Sequence, residues 1–198
     1  MHPNARFKRL TPPRPWQPLS DAELATLRPY FAHQGSGRPI FDIRARLDAI
    51  FRAITHNGPW KDLPPHMGPW DTAHRQFRRW VHKGVWTRLL QDVATSKDPV
   101  LLGLKHWLCR AFRRALRILG LFGYRLARRL GLTSALPGPP WMCPDPDLSD
   151  LLQPAICAAL RESLDRRGLP DREVIRTAIA FHKMVGGARY IPRYLAPP

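Results

Sequence analysis

Carboxylates are scarce in this sequence. Fifteen Asp and Glu stand against 32 Lys and Arg, which leaves the 198 residues with a net charge of +17. Not one acidic residue falls between Asp98 and Asp145, while eight basic ones do. A chain this basic repels itself until something anionic neutralises it, and nucleic-acid phosphate is the usual partner. The same shortage tells against metal-dependent strand chemistry, because a two-metal site needs carboxylates converging from a rigid core. Asp145, Asp147 and Asp150 are the closest approach to such a cluster, and they read as a solvated linker and a helix start.

Cysteine is equally thin. Cys109, Cys143 and Cys157 lie far apart and are odd in number, so no disulfide framework is expected. Without a Cys-x-x-Cys, a zinc ribbon or finger is excluded, and His106 with Cys109 lacks the second pair a metal would need. No metal, cofactor or catalytic residue is assigned. Long apolar runs are missing too: the longest, Ile118 to Tyr124, is too short to span a bilayer. The start, with Arg6, Lys8 and Arg9 among prolines, has no apolar h-region, so no signal peptide is expected and the protein reads as cytoplasmic.

What the sequence does have is proline, 22 of them, and helical periodicity between them. Residues 1–18 read as a disordered basic arm. Ser20 with Glu23 forms a capping box, Leu19 and Leu24 a hydrophobic staple, and Leu24, Leu27 and Phe31 a core stripe. Asp42 is an N-cap for a helix carrying Ile43, Leu47, Ile50, Phe51 and Ile54, which Asn57-Gly58-Pro59 ends. Trp60 to Pro64 has room for one helical turn. After His66-Met67-Gly68-Pro69, a helix from about Trp70 buries Ala73, Phe77, Trp80 and Val81, and Lys83-Gly84 closes it. A further helix carries Val85, Trp86, Leu89, Leu90 and Val93.

Residues 98–136 form a basic amphipathic segment. Lys105, Arg110, Arg113, Arg114, Arg117, Arg125 and Arg128 fill one arc opposite an apolar one, with a break or bend near Gly120 and Gly123. Residues 137–147 are a Pro-rich linker, and 148–198 hold two more helices and a short strand-like end. The fold class expected is all-α, with residues 19–97 as a helix-turn-helix domain.

In that domain the turn at 60–64 and the helix from Trp70 form the helix-turn-helix. The stripe that docks on the core leaves Thr72, His74, Arg75, Arg78, Arg79 and His82 toward a major groove. Arginine suits this role, since its fork bridges guanine O6 and N7 or grips a phosphate. Lys83, Arg88, Arg44 and Lys61 are expected on the DNA backbone, and the arm at Arg6, Lys8 and Arg9 in the minor groove. Trp60, Trp70, Trp80 and Trp86 are expected in the core rather than stacked on bases.

Six ordered motifs carry a family resemblance: Leu19-Ser20-Asp21-Ala22-Glu23-Leu24, Gly37-Arg38-Pro39, Asn57 to Pro64, Gly68-Pro69-Trp70-Asp71-Thr72, Phe77-Arg78-Arg79-Trp80 and Gly84-Val85-Trp86. Over about residues 19–95 the chain resembles the N-terminal, insertion-element domain of bacterial insertion-sequence transposases. The resemblance implies a helical unit that binds duplex DNA at an element's terminal repeats. Such transposases continue into a nuclease domain of RNase H type with three carboxylates. Here no expected strand carries any carboxylate, so the chain reads as a truncated, non-catalytic relative. Residues 145–198 are similar to the dimerisation region of Mor-type phage transcription activators through Gly186-Gly187-Ala188-Arg189-Tyr190-Ile191-Pro192, which implies a homodimer. Two alternatives remain open. The chain is one half of a transposase completed by another reading frame, or residues 100–131 bind a membrane surface as a basic amphipathic helix.

Overall fold

The computed structural model describes residues 11–31, 40–56, 58–166, 168 and 171–187. Among them are eight α-helices and no strand: α1 (Asp21–Leu27), α2 (Ile43–Thr55), α3 (Trp70–His82), α4 (Val85–Thr95), α5 (Pro99–Gly103), α6 (Lys105–Arg129), α7 (Pro146–Asp165) and α8 (Arg172–Val185). The protein is all-α, as its periodicity demands.

Local chemistry sets most of the helix starts. The Ser20 hydroxyl accepts from the Glu23 amide at 3.2 Å while the Glu23 carboxylate accepts from the Ser20 amide at 2.9 Å, completing the capping box. Asp42 accepts from the Ala45 amide at the head of α2, and Asp98 from the Val100 amide at the head of α5. Gly84 sits at φ 68° between α3 and α4, a left-handed turn that a side chain would strain.

The core is built on aromatic rings. Phe31 lies 4.4 Å from Trp80, Phe51 6.2 Å from Trp86, and Phe51 5.3 Å from Trp107 (centroid distances). The Trp86 indole N–H, fully enclosed, reaches the Phe77 carbonyl at 3.4 Å. Each buried indole removes some 150–250 Å² from water, roughly 4–6 kcal/mol at about 25 cal/mol per Å² and an upper bound against a compact unfolded chain.

This core crosses the boundary drawn at residue 97. Leu104, Trp107, Leu108, Cys109, Ala111, Phe112 and Ala115 of the α6 region are all buried in it, and α6 packs on α2, α3 and α4. Residues 98–136 are therefore packed into the helical domain and do not lie free beside it. As far as Leu116, the apolar arc that a membrane would need is already covered within this core. As the glycines suggest, α6 bends: Gly120 leaves helical geometry at φ 57°, ψ −143°. Beyond it the register changes, and Leu121 and Phe122 face solvent. Gly123 is buried, and an added Cβ would meet the Leu116 side chain at 2.6 Å.

Part of the expected disordered arm is ordered. Residues 11–18 run along the domain, with the Thr11 amide donating to the Ser134 hydroxyl at 3.1 Å and the Trp107 indole donating to the Arg14 carbonyl at 3.2 Å. Arg14 stacks over the Trp107 ring at 4.1 Å and pairs with Glu23 at 2.6 Å. The sequence reading missed this because the anchors, Trp107 and Ser134, are about a hundred residues away. Arg6, Lys8 and Arg9 lie outside the described residues.

The Pro-rich segment after α6 is held as well. Arg128 donates to the carbonyls of Pro140, Cys143 and Pro144, and Cys143 is buried. Asp145, Asp147 and Asp150, read as solvated, ion-pair with Arg125, Arg128 and Arg129, while Asp145 also caps α7 as the helix start predicted. α7 and α8 form an antiparallel pair, its open end tied where the Asp145 amide meets the Val185 carbonyl at 2.8 Å. The strand-like end from 188 onward, with most of the Mor-like motif, lies outside the described residues.

Candidate nucleic-acid interface

α3 divides cleanly into two faces. Ala73, Phe77, Trp80 and Val81 are buried, as their spacing predicts. Arg75, Arg78, Arg79 and His82 are exposed, with Lys83 following, and Asp71, Arg75, Arg78 and His82 stack along one line of the helix at steps of three and four. Arg75 pairs with Asp71 one turn back, and the Thr72 hydroxyl sits 3.4 Å from the Asp71 carboxylate. Arg78, Arg79, His82 and Lys83 have no ion-pair or hydrogen-bond partner for their side chains among the described residues. Arg88, on α4, reaches back to the Lys83 carbonyl at 3.4 Å, so the basic face turns the corner between the two helices. Lys61 is exposed on the turn before α3.

Arg44 does not join this set. Its guanidinium is bound to the Leu19 carbonyl and to Asp21, tying α2 to the start of α1. The short first element of the helix-turn-helix, for which the sequence leaves room for one turn, is a 3-10 turn, Trp60–Asp62, followed by another at Pro65–Met67. Four prolines between 59 and 69 remove the amide donors a longer helix needs. Of the four tryptophans, Trp80 and Trp86 are buried, Trp60 is half-buried, and Trp70 stands at 45% exposure at the head of α3.

His74 sits at the edge of the exposed face, 5.1 Å from the Trp60 ring. Burial, and then the positive charges of Arg78 and Arg114, push its imidazole below the usual histidine value. The second of those arginines comes from α6 and was not foreseen as a neighbour. Arg110 donates to the Ile54 and Thr55 carbonyls at 3.0 and 3.1 Å, and Arg114 to those of Ala53 and Gly58 at 3.0 and 2.7 Å. The Ala53, Ile54 and Thr55 carbonyls end α2, where unpaired acceptors and the negative end of the helix dipole favour cations, and that of Gly58 lies in the turn just beyond. Arg114 also lies over the Trp60 ring at 5.3 Å. No local signal in the sequence marks partners more than fifty residues apart.

Between α3, the Trp60 turn and α6 lies a cleft of about 760 Å³. Trp60, His74, Arg78, Arg113, Arg114 and Arg117 are among its walls, and no carboxylate is. Elsewhere among the described residues, no three His, Cys, Asp or Glu side chains are placed to hold a metal, and Cys109 is buried with its thiol pushed up by that burial. No helix among them is long and apolar enough to cross a membrane.

The chain is 29% identical over 82 residues to the uncharacterized protein y4sN of Sinorhizobium fredii, an alignment that takes in 41% of this chain and 66% of that protein, just under two thirds of its length. No solved structure matches the chain. Residues 19–90, which run from α1 into α4 with α3 and its exposed arginines between them, match a family described as "Putative transposase of IS4/5 family".

Proposed function

We propose that the protein is a mobile-element-derived DNA-binding protein that reads duplex DNA with α3 and performs no strand transfer of its own. The observation that carries this reading is the split of α3. One face is locked into an aromatic core, and the other presents Arg75, Arg78, Arg79, His82 and Lys83 to solvent, with Arg88 alongside. A rigid helix offering exposed arginines fits a major groove. Thr72 and Arg75, nearest the head of α3, would face base edges, and Arg79, Lys83, Arg88 and Lys61 phosphates. The terminal repeats of an element are the expected site, and the cytoplasm the expected compartment.

The non-catalytic part of the proposal rests on the carboxylates. Asp145, Asp147 and Asp150 are engaged by arginines rather than gathered around an empty centre. Incubation of the full chain with supercoiled plasmid and Mg²⁺ or Mn²⁺ should give no nicking; metal-dependent nicking that copurifies with the chain would favour the reading as part of a transposase.

The test of the DNA reading is fluorescence anisotropy of the full chain with labelled duplex across a salt series. Wild type should bind with a steep salt slope, and Arg75→Ala with Arg79→Ala should bind at least tenfold more weakly with a shallower slope. Equal binding by both proteins would remove α3 from the interface. A homodimer is part of the proposal, because α7 and α8 leave Leu151, Leu160, Leu164, Val174 and Ile179 exposed on a paired scaffold. Sedimentation velocity should show a dimer that Leu160→Glu with Ile179→Glu returns to monomer.

A further inference from the structure

The cleft between α3 and α6 has no place in a groove-reading helix, yet four arginines and a histidine line it. We propose that it is a phosphate site, which takes the backbone of a nucleic-acid strand running off the exposed face of α3. The inference rests on the duplex reading of α3 and adds to it a second contact on an element outside the matched family stretch.

Three features of the geometry support it. Arg78, Arg113, Arg114 and Arg117 converge on the cleft with His74, and the lining contains no acidic residue to neutralise them. Two of the arginines are held in place beforehand. Arg114 is anchored on the Ala53 and Gly58 carbonyls and Arg113 on that of Ser134, so little ordering remains to be done when an anion arrives. Arg78 belongs both to the exposed face of α3 and to the cleft wall, which makes the two surfaces continuous. A volume of about 760 Å³ is within the ordinary range of small-ligand sites, wide enough for a phosphate with its attached sugar.

The electrostatics of the lining suit an anion. Burial, then the neighbouring charges of Arg110 and Arg117, hold the Arg114 guanidinium below its ordinary value. His74 is lowered by burial, Arg78 and Arg114. Charges of one sign crowded in a partly desolvated cleft are stabilised by a phosphate.

The experiment uses the full chain, a labelled 20-base-pair duplex and, separately, inorganic phosphate. Arg117→Gln changes a cleft residue that is exposed and lies on α6, so circular dichroism should match wild type. Its duplex affinity should fall threefold to tenfold, and its salt slope should drop by about 0.9, one phosphate contact. In proton NMR the His74 ring resonance, assigned by comparison with His74→Gln, should titrate at higher pH when duplex is bound. That shift should shrink in Arg117→Gln. An unchanged salt slope together with an unmoved His74 signal at saturating duplex would overturn the proposal. A His74 response to millimolar phosphate but not to duplex would also overturn it, making the cleft a small-anion site. If Arg75→Gln with Arg79→Gln binds like wild type while Arg117→Gln does not, the α3 reading fails and the cleft stands.

Discussion

α3 and α6 look like the same kind of helix in the sequence: each sets a row of arginines against an apolar stripe. Their arginines meet opposite fates. On α3, Arg78 and Arg79 point to solvent without partners among the described residues. On α6, five of the seven basic residues in the predicted arc, Arg110, Arg113, Arg114, Arg125 and Arg128, donate to carbonyls or carboxylates of other elements. The difference lies in what surrounds each helix. α3 has neighbours on one side only, so its basic face stays wet. α6 sits among α2, α3, α4 and α7, and its long side chains must end on acceptors those elements leave open. A high count of arginines therefore measures two things, binding capacity and internal scaffolding, and in the proposed phosphate site Arg113 and Arg114 serve both.

The largest way to break this comparison is to remove α6. A fragment ending at residue 97 lacks Trp107 and Phe112, and it should show no cooperative thermal transition by circular dichroism. A native-like melt of that fragment would show that α1 to α4 form a core by themselves. In the full chain, Trp107→Ala should cost about 3–5 kcal/mol, read as a loss of unfolding free energy in urea. The cavity it leaves is lined by Phe51 and by Arg14.

A step smaller, Arg114→Ala should cost about 2 kcal/mol, because it leaves the Ala53 carbonyl at the end of α2 and the Gly58 carbonyl beyond it without their cationic donor. Arg79→Ala should change stability by less than about 0.5 kcal/mol, as exposed unpaired residues do, while weakening duplex binding. If the two variants exchanged these effects, the distinction between scaffold and interface would be drawn at the wrong residues.

The capping box gives a finer test. Ser20→Ala should cost about 1 kcal/mol. Glu23 also answers to pH: burial alone would raise its carboxyl, but the Ser20 amide and the Arg14 guanidinium overcome this and bring it below 4.5. A lowered carboxyl adds stability above its ordinary value, and that contribution is lost as pH falls from about there through the lowered one. Between pH 5 and 3, Glu23→Gln should therefore lose less stability than wild type. An equal loss would mean that the Arg14 pair adds nothing.

The helices themselves were legible. Asp42 and the apolar repeat from Ile43 to Ile54 specify α2 nearly to the residue, and the Gly120 bend in α6 was marked by the missing side chain. The exposed set on α3 could be read because helical periodicity is local: Ala73, Phe77 and Trp80 must share one side and Arg75, Arg78 and Arg79 the other. Less could be read where the reason for a residue lies far along the chain. Trp70 follows no local rule that places it at the surface. Arg44 resembles a backbone contact until Asp21 is seen beside it. The arm from Thr11 looked free because its anchors lie beyond residue 100.

By itself, then, the sequence determined the class of the fold, the start of each capped helix, the excess of positive charge and the face of α3 that carries it. These follow from hydrogen bonding and side-chain spacing within a turn or two. The tertiary structure alone decided that α6 belongs to the same core as α2 and α4, which arginines are engaged inside the protein, and that Arg113, Arg114 and Arg117 of α6 meet Arg78 of α3 in one cleft. Those outcomes depend on which carbonyls and carboxylates packing brings within reach of a guanidinium, and spacing along the chain carries no record of that.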